Sequence, residues 1–250
     1  MIRALGMELY KTRRKKLWLV VGALIAVQVA WSLWGIRRMD AHDLQEGWLF
    51  TLYQFPLLNS ILLPVIVAVV ASRLSDMEHK GQTLKLIETL QPAGRLFDAK
   101  FITGCLYLLA ATLLQVAIIL VAGFTCGFVG NPPLRLFGCY LLFSMAVGAT
   151  ILLLQQVLSL LFSNQMVSLA VGLIGSFFGL FSMYFPPNLA KIAVWGYYGV
   201  LMFIRMDWNS ATRVTHFYEV PVDWVGAALL AVHFCLIYTI GRAIFVRKEL

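Results

Sequence analysis

The chain has 250 residues, 60% of them apolar and 13% charged, about half the charged share of a soluble domain. Its net charge of +8 lies beside the ends of apolar runs, not in one patch, and no recognition motif accompanies it, which argues against a nucleic-acid partner. Apolar runs of twenty or more residues without alternation exclude both a water-soluble core and a transmembrane barrel.

In chain order, residues 2–16 form an amphipathic, basic arm. Ile2, Leu5 and Leu9 lie on one side, and Lys11, Arg13, Arg14, Lys15 and Lys16 precede the first apolar run. Such an arm anchors to anionic lipid. That first run, 17–36, is longer than a signal-peptide core and no A-x-A site follows, so it reads as a retained span. Further spans are predicted over 52–72, 101–124, 136–162, 166–185 and 224–246. Each is long enough to cross a hydrocarbon layer of about 30 Å. The run 192–204, with Trp195, Tyr197 and Tyr198, is too short to cross and reads as interfacial or re-entrant.

Six crossings put both termini on one side. That side collects fourteen of the twenty Lys and Arg residues, from the arm, the loop 73–100 and the tail. It is therefore expected to be cytoplasmic, with 186–223 as a small external cap. The fold class is all-α integral membrane, and 1–250 is one membrane domain. Cys105, Cys126, Cys139 and Cys235 sit in or beside apolar runs without a C-x-x-C pair and read as buried thiols.

Within the loop, Leu84, Ile87 and Leu90 repeat at helical spacing, with Lys85 and Glu88 elsewhere, and Pro92 ends the pattern. Two readings are open: a helix resting on headgroups, or one fitting a groove on a cytoplasmic partner. The chain contains no Gly-Lys pair, hence no G-x-x-x-x-G-K-[ST] phosphate loop. If it pumps, the energy enters through another chain.

No Asp, Glu, Lys or Arg sits at a span centre. That argues against proton or sodium coupling. The polar residues within the spans are Gln28, Gln115, Gln155, Gln156 and His233, with Asn59 and Ser60 beside Pro64 in the second span. Each is a helix-packing hydrogen-bond group or a substrate contact. Gln28, Asn59, Pro64, Gln115, Gln156, Phe178 and His233 are the candidates for a substrate path. Ser168, Gly172, Gly175, Ser176 and Gly179 form a stripe of small residues, for packing within the chain or against a second one. No paired carboxylates, metal cluster or nucleophile–base set lies in or beside the spans, so no catalytic or metal residues are assigned.

The arm Glu8-Leu9-Tyr10-Lys11-Thr12-Arg13-Arg14-Lys15-Lys16 resembles that of bacterial ABC-2 type permeases. So does the later order of a Pro64-containing span, Glu78-His79-Lys80-Gly81, Leu84-x-x-Ile87-x-x-Leu90, Pro92, Arg95 and Ala99-Lys100. The length and this loop look most like lantibiotic-immunity and peptide-antibiotic permeases, although Ala93-Gly94-Arg95 departs from the usual Ser before the basic residue. The resemblance implies a type V exporter-like fold of six spans. Glu8, Leu9, Lys11, Arg13 and Arg14 would lie on a connecting helix. Glu78, Gly81, Leu84, Lys85, Ile87, Leu90 and Pro92 would form a cytoplasmic coupling helix on an ATPase.

It further implies a bacterial plasma-membrane location, two ATPase copies holding ATP and Mg, and a second permease chain, identical or related. No cofactor is expected on this chain. The implied cargo is an amphipathic peptide. A drug, a lipid or another small antibiotic is the alternative, and a non-transporting sensor or assembly partner is an alternative of another class.

Overall fold

The computed structural model describes residues 2–14, 16–41, 43–81, 92–211 and 214–247. Leu84, Lys85, Ile87 and Leu90 lie outside the described residues. Glu78 and Gly81 have helical backbone, but their side chains are outside the description, as is that of Arg14.

The arm is helix α1 (Ile2–Arg14), and the spans are α2 (Leu17–Ile36), α3 (Gly47–Gly81), α4 (Ala93–Cys126), α5 (Leu134–Leu161) and α6 (Gln165–Phe181). After the short helices α7 (Pro187–Ala190) and α8 (Tyr197–Val200) comes the last span, α9 (Trp224–Arg247). Among the described residues, six helical segments are long and apolar enough to cross a membrane. These match the six predicted spans.

Two boundaries moved. α3 starts before residue 52 and continues to Gly81, because no breaker interrupts Ser72–Lys80. α4 begins at Ala93, directly after Pro92, whose φ of −57° suits a helix entry. Much of the predicted 73–100 loop is therefore helix that continues beyond the apolar windows. Pro56 and Pro64 both lie inside α3 without ending it.

α3 and α5 form the centre. In their apolar windows 67% and 61% of residues are buried, against 17% for α9. α4 and α5 interlock by a reciprocal fit. A Cβ on Gly104 would lie 2.8 Å from Leu152, and one on Gly148 would lie 2.8 Å from Leu108. Each leucine fills the place where the facing helix has no side chain.

α6 docks on α3 in the same way, since a Cβ on Gly172 would lie 2.6 Å from that of Ala68. Gly179 lets the Ser60 carbonyl come within 3.1 Å of where its Cβ would be. Pro64 has no N–H to offer that carbonyl. The small-residue stripe of α6 is thus used within the chain, with Ser168, Gly172, Gly175, Ser176 and Gly179 all buried.

At the end away from the termini, 186–223 folds into short helical turns and a hairpin. Strands β1 (Ile204–Asn209) and β2 (Val214–Glu219) pair antiparallel, with Met206 opposite Phe217. The hairpin is an addition to the predicted fold. It is held by Glu46, which accepts from the Phe217 N–H at 2.7 Å and contacts His216 Nδ1 at 3.1 Å. Phe217 packs edge-on against Phe50, ring centroids 5.5 Å apart. Within the run 192–204, Ile192 is exposed, while Tyr197, Leu201, Phe203 and Ile204 are buried in the core.

Candidate functional site

Two constellations stand out, one at the end bearing the termini and one at mid-span. The first is built on α1. Its buried face is Ala4, Glu8 and Thr12, four residues apart, while Met7, Leu9 and Tyr10 are exposed. The helix turns its polar stripe inward and its apolar side chains outward, as suits a helix lying at a lipid surface. The sequence reading of a lipid-anchored arm did not foresee that Glu8 and Thr12 would be its buried side. The reason is Lys100.

Lys100 and Glu8 are 0% and 1% exposed. Lys100 Nζ donates to Glu8 Oε2 at 3.1 Å and to the Leu74 carbonyl at 2.6 Å. Glu8 Oε1 accepts from Lys11 Nζ at 2.7 Å. A buried cation needs a paired anion and further hydrogen bonds. Here both are supplied from different helices, so α1, α3 and α4 are joined at one point. Leu74 lies on the helix that runs on to Gly81, and Lys100 on the helix that begins just after Pro92, so the joint sits on the two helices that flank 82–91. Arg13 is exposed, and so is Pro92.

The second constellation is a closed ring of four side chains, one from each of α2, α3, α4 and α5. Gln28 Nε2 donates to Asn59 Oδ1 at 3.0 Å, and Gln115 Nε2 donates to Gln28 Oε1 at 2.7 Å and to Asn59 Oδ1 at 2.9 Å. Asn59 Nδ2 donates to the Tyr140 hydroxyl at 2.9 Å, which donates to Gln115 Oε1 at 2.6 Å. All four are buried, none more than 1% exposed. In an apolar layer such groups must satisfy one another, and these do. Three were predicted path residues. Tyr140 was not, since a span tyrosine reads as an interface anchor.

The family model for the ABC-2 family transporter protein matches residues 4–179. The chain belongs to the ABC-2 family. The matched region runs from α1 into α6 and contains both constellations. No curated protein matches the chain. ABC-2 permeases are membrane transport subunits, and membership implies an ABC ATPase as partner.

The other predicted path residues of this ABC-2 permease are elsewhere. Gln156 Nε2 donates to the Phe97 carbonyl at 2.9 Å, tying α5 to α4 nearer the termini. Its neighbour Gln155 meets the Ser168 hydroxyl at 2.7 Å, which ties α5 to α6. His233 lies on α9, with Nδ1 2.8 Å from the Leu229 carbonyl and its ring against Tyr197. Phe178 packs on Phe185, ring centroids 5.7 Å apart. Pro64 is buried in α3. The structure therefore brings Gln28, Asn59 and Gln115 together and leaves Pro64, Gln156, Phe178 and His233 apart from them.

One cluster escaped the sequence reading. Asp98 on α4 accepts from the Tyr238 hydroxyl at 2.9 Å and from Arg242 Nε at 3.3 Å, both on α9. Gly94 makes room for it: a Cβ there would lie 2.4 Å from Arg242 Nη2. The signal was a spacing of four between Tyr238 and Arg242, one turn of α9.

Proposed function

We propose that this ABC-2 permease exports amphipathic antimicrobial peptides of the lantibiotic type, and that it serves immunity or resistance. Both termini and the segment 78–92 face the cytoplasm in this reading. Two permease chains, identical or related, pair with two ATPase chains that hold ATP and Mg. Glu78, Gly81, Leu84, Lys85, Ile87, Leu90 and Pro92 contact the ATPase. Its movement enters through the helix ends on either side of that segment.

The observation that carries the coupling reading is the Lys100 joint. Lys100 reaches Glu8 on α1 and the Leu74 carbonyl on α3, so the arm and the two helices flanking 82–91 are pinned to one another. A push on that segment displaces three helices together. The cargo class is supported by spans without charged centres and by the closed amide ring. Both suit an apolar or amphipathic passenger that follows a surface between chains.

The test compares growth inhibition of cells with and without the permease and its ATPase across a peptide panel. Protection against lantibiotics, lost in a Glu78→Ala plus Leu84→Asp variant that still inserts, is the expected result. No protection against any peptide overturns the cargo. Protection that survives the double substitution overturns the coupling.

A further inference from the structure

Beyond the apolar end of α2, a cavity of about 230 Å³ opens between that helix end, the start of α3 and the hairpin. Its lining includes Gly35, Arg38, Asp43, Glu46, Phe50 and Phe217. The site combines opposite charges that do not neutralise each other. Arg38 makes no salt bridge with Asp43 or Glu46, although all three line one cavity. Its guanidinium lies 3.8 Å above the Trp34 ring, which holds it in place.

Asp43 Oδ2 accepts from the Asp40 N–H at 3.3 Å, and Oδ1 has no partner among the described residues. Glu46 is committed to the hairpin, through the Phe217 N–H and His216, and so is a fixed negative wall. Gln54 packs against Gly35 of the lining, and its Oε1 is buried without a hydrogen bond among the described residues.

The depth of the cavity narrows the ligand. Trp31 and Trp34, both more than half exposed, sit on the last turns of α2. Exposed tryptophans at a span end mark the headgroup level. Arg38 follows Trp34 by one helical turn, so its charge lies among headgroups and not in the acyl layer. Phe50 and Phe217 give the cavity an apolar side. A ligand that fits carries a phosphate, a cation a few bonds away and an apolar continuation.

We propose that this cavity binds the headgroup of a zwitterionic phospholipid, with Arg38 on the phosphate and Asp43 on the ammonium. Arg suits the phosphate because its planar fork meets two oxygens at once. Glu46 adds negative potential on the ammonium side and fixes the hairpin as the opposite wall. The site is independent of the transported cargo. It ties the lipid composition of that leaflet to the positions of α2, α3 and the hairpin.

The experiment uses the full chain, delipidated in detergent, with thermal shifts and native mass spectrometry. The probes are short-chain phosphatidylethanolamine, phosphatidylglycerol and free phosphoethanolamine. Phosphatidylethanolamine is expected to bind the wild type and raise its Tm. Arg38→Gln is expected to weaken this binding about tenfold. Arg38→Lys retains part of it. Asp43→Asn loses the preference for phosphatidylethanolamine over phosphatidylglycerol while still binding both.

Lipid-free Tm values show whether each variant is folded. Equal retention of phosphatidylethanolamine by the wild type, Arg38→Gln and Asp43→Asn overturns the site. Free phosphoethanolamine binding as tightly as the lipid overturns the lipid assignment in favour of a soluble zwitterion. An amphipathic cationic peptide that binds through Asp43 while lipid binding ignores Arg38 also overturns it, in favour of cargo.

Discussion

Lys100 shows how a single side chain orders a helix end. Removing it takes the buried partner from the Glu8 carboxylate and leaves it only the part-exposed Lys11, and breaking a buried ion pair costs about 3–5 kcal/mol. Lys100→Met is therefore expected to lower the Tm sharply. Glu8→Gln combined with Lys100→Met recovers part of that loss, because the buried carboxylate is removed with its buried partner and Lys11, a third exposed, can turn to water. Thermal denaturation in detergent measures both, and a double variant no better than the single one shows that the pair does not act as a unit. Glu8 and Lys100 were each legible as parts of a familiar pattern. Their contact was not, because 92 residues separate them and no local periodicity encodes it. The amide ring is similar. Gln28, Asn59 and Gln115 stood out as polar groups in oil, whereas Tyr140, with its hydroxyl 2.9 Å from Asn59, was hidden by its ordinary role at membrane surfaces.

The spans were readable as elements because length and apolarity alone define them. The hairpin obeys weaker rules. Ile204, Met206 and Trp208 alternate with Arg205 and Asp207, a period of two that lies within a segment already marked by an aromatic run. The entry to α9 shows how such a cap is tied to a span. Asp223 precedes the helix, accepts from the Gly226 N–H at 2.8 Å and meets Lys191 Nζ at 2.5 Å. Lys191 above all, then the Gly226 N–H, holds its carboxyl below the usual carboxylate range.

The sign of the Asp223 linkage follows from that depressed value. The stabilisation is full above the unfolded-state pKa near 3.9 and fades as pH falls through the lower folded value. Asp223→Ala should cost about 1 kcal/mol at neutral pH through the lost cap, with little from the part-exposed ion pair. The difference from wild type should vanish in strong acid. A Tm difference that is flat down to low pH shows that the carboxylate charge is not what caps α9.

At the scale of the whole molecule, the bonds divide the chain unequally. Side chains of α2, α3, α4 and α5 meet in one ring, α1 joins α3 and α4 through Lys100, and α6 sits on α3 through Gly172. These contacts bind six helices into one block. α9 is the least enclosed span. Near the termini it is held by Asp98 with Tyr238 and Arg242, and by Phe245 against Phe97. A single chain therefore yields first along α9. Asp98→Ala removes the polar tie and leaves the aromatic contact. Because Arg242 is 41% exposed, the global loss should be small, about 1 kcal/mol or less. The local effect is larger in kind: amide exchange over 234–247 should rise about three- to tenfold, while the α4 amides over 101–120 stay as protected as before. Hydrogen exchange with mass spectrometry on the detergent-solubilised chain separates the two regions. Equal exchange in α9 of both proteins assigns its anchoring to Phe97 and Phe245. A rise in α4 as well makes α9 part of the block.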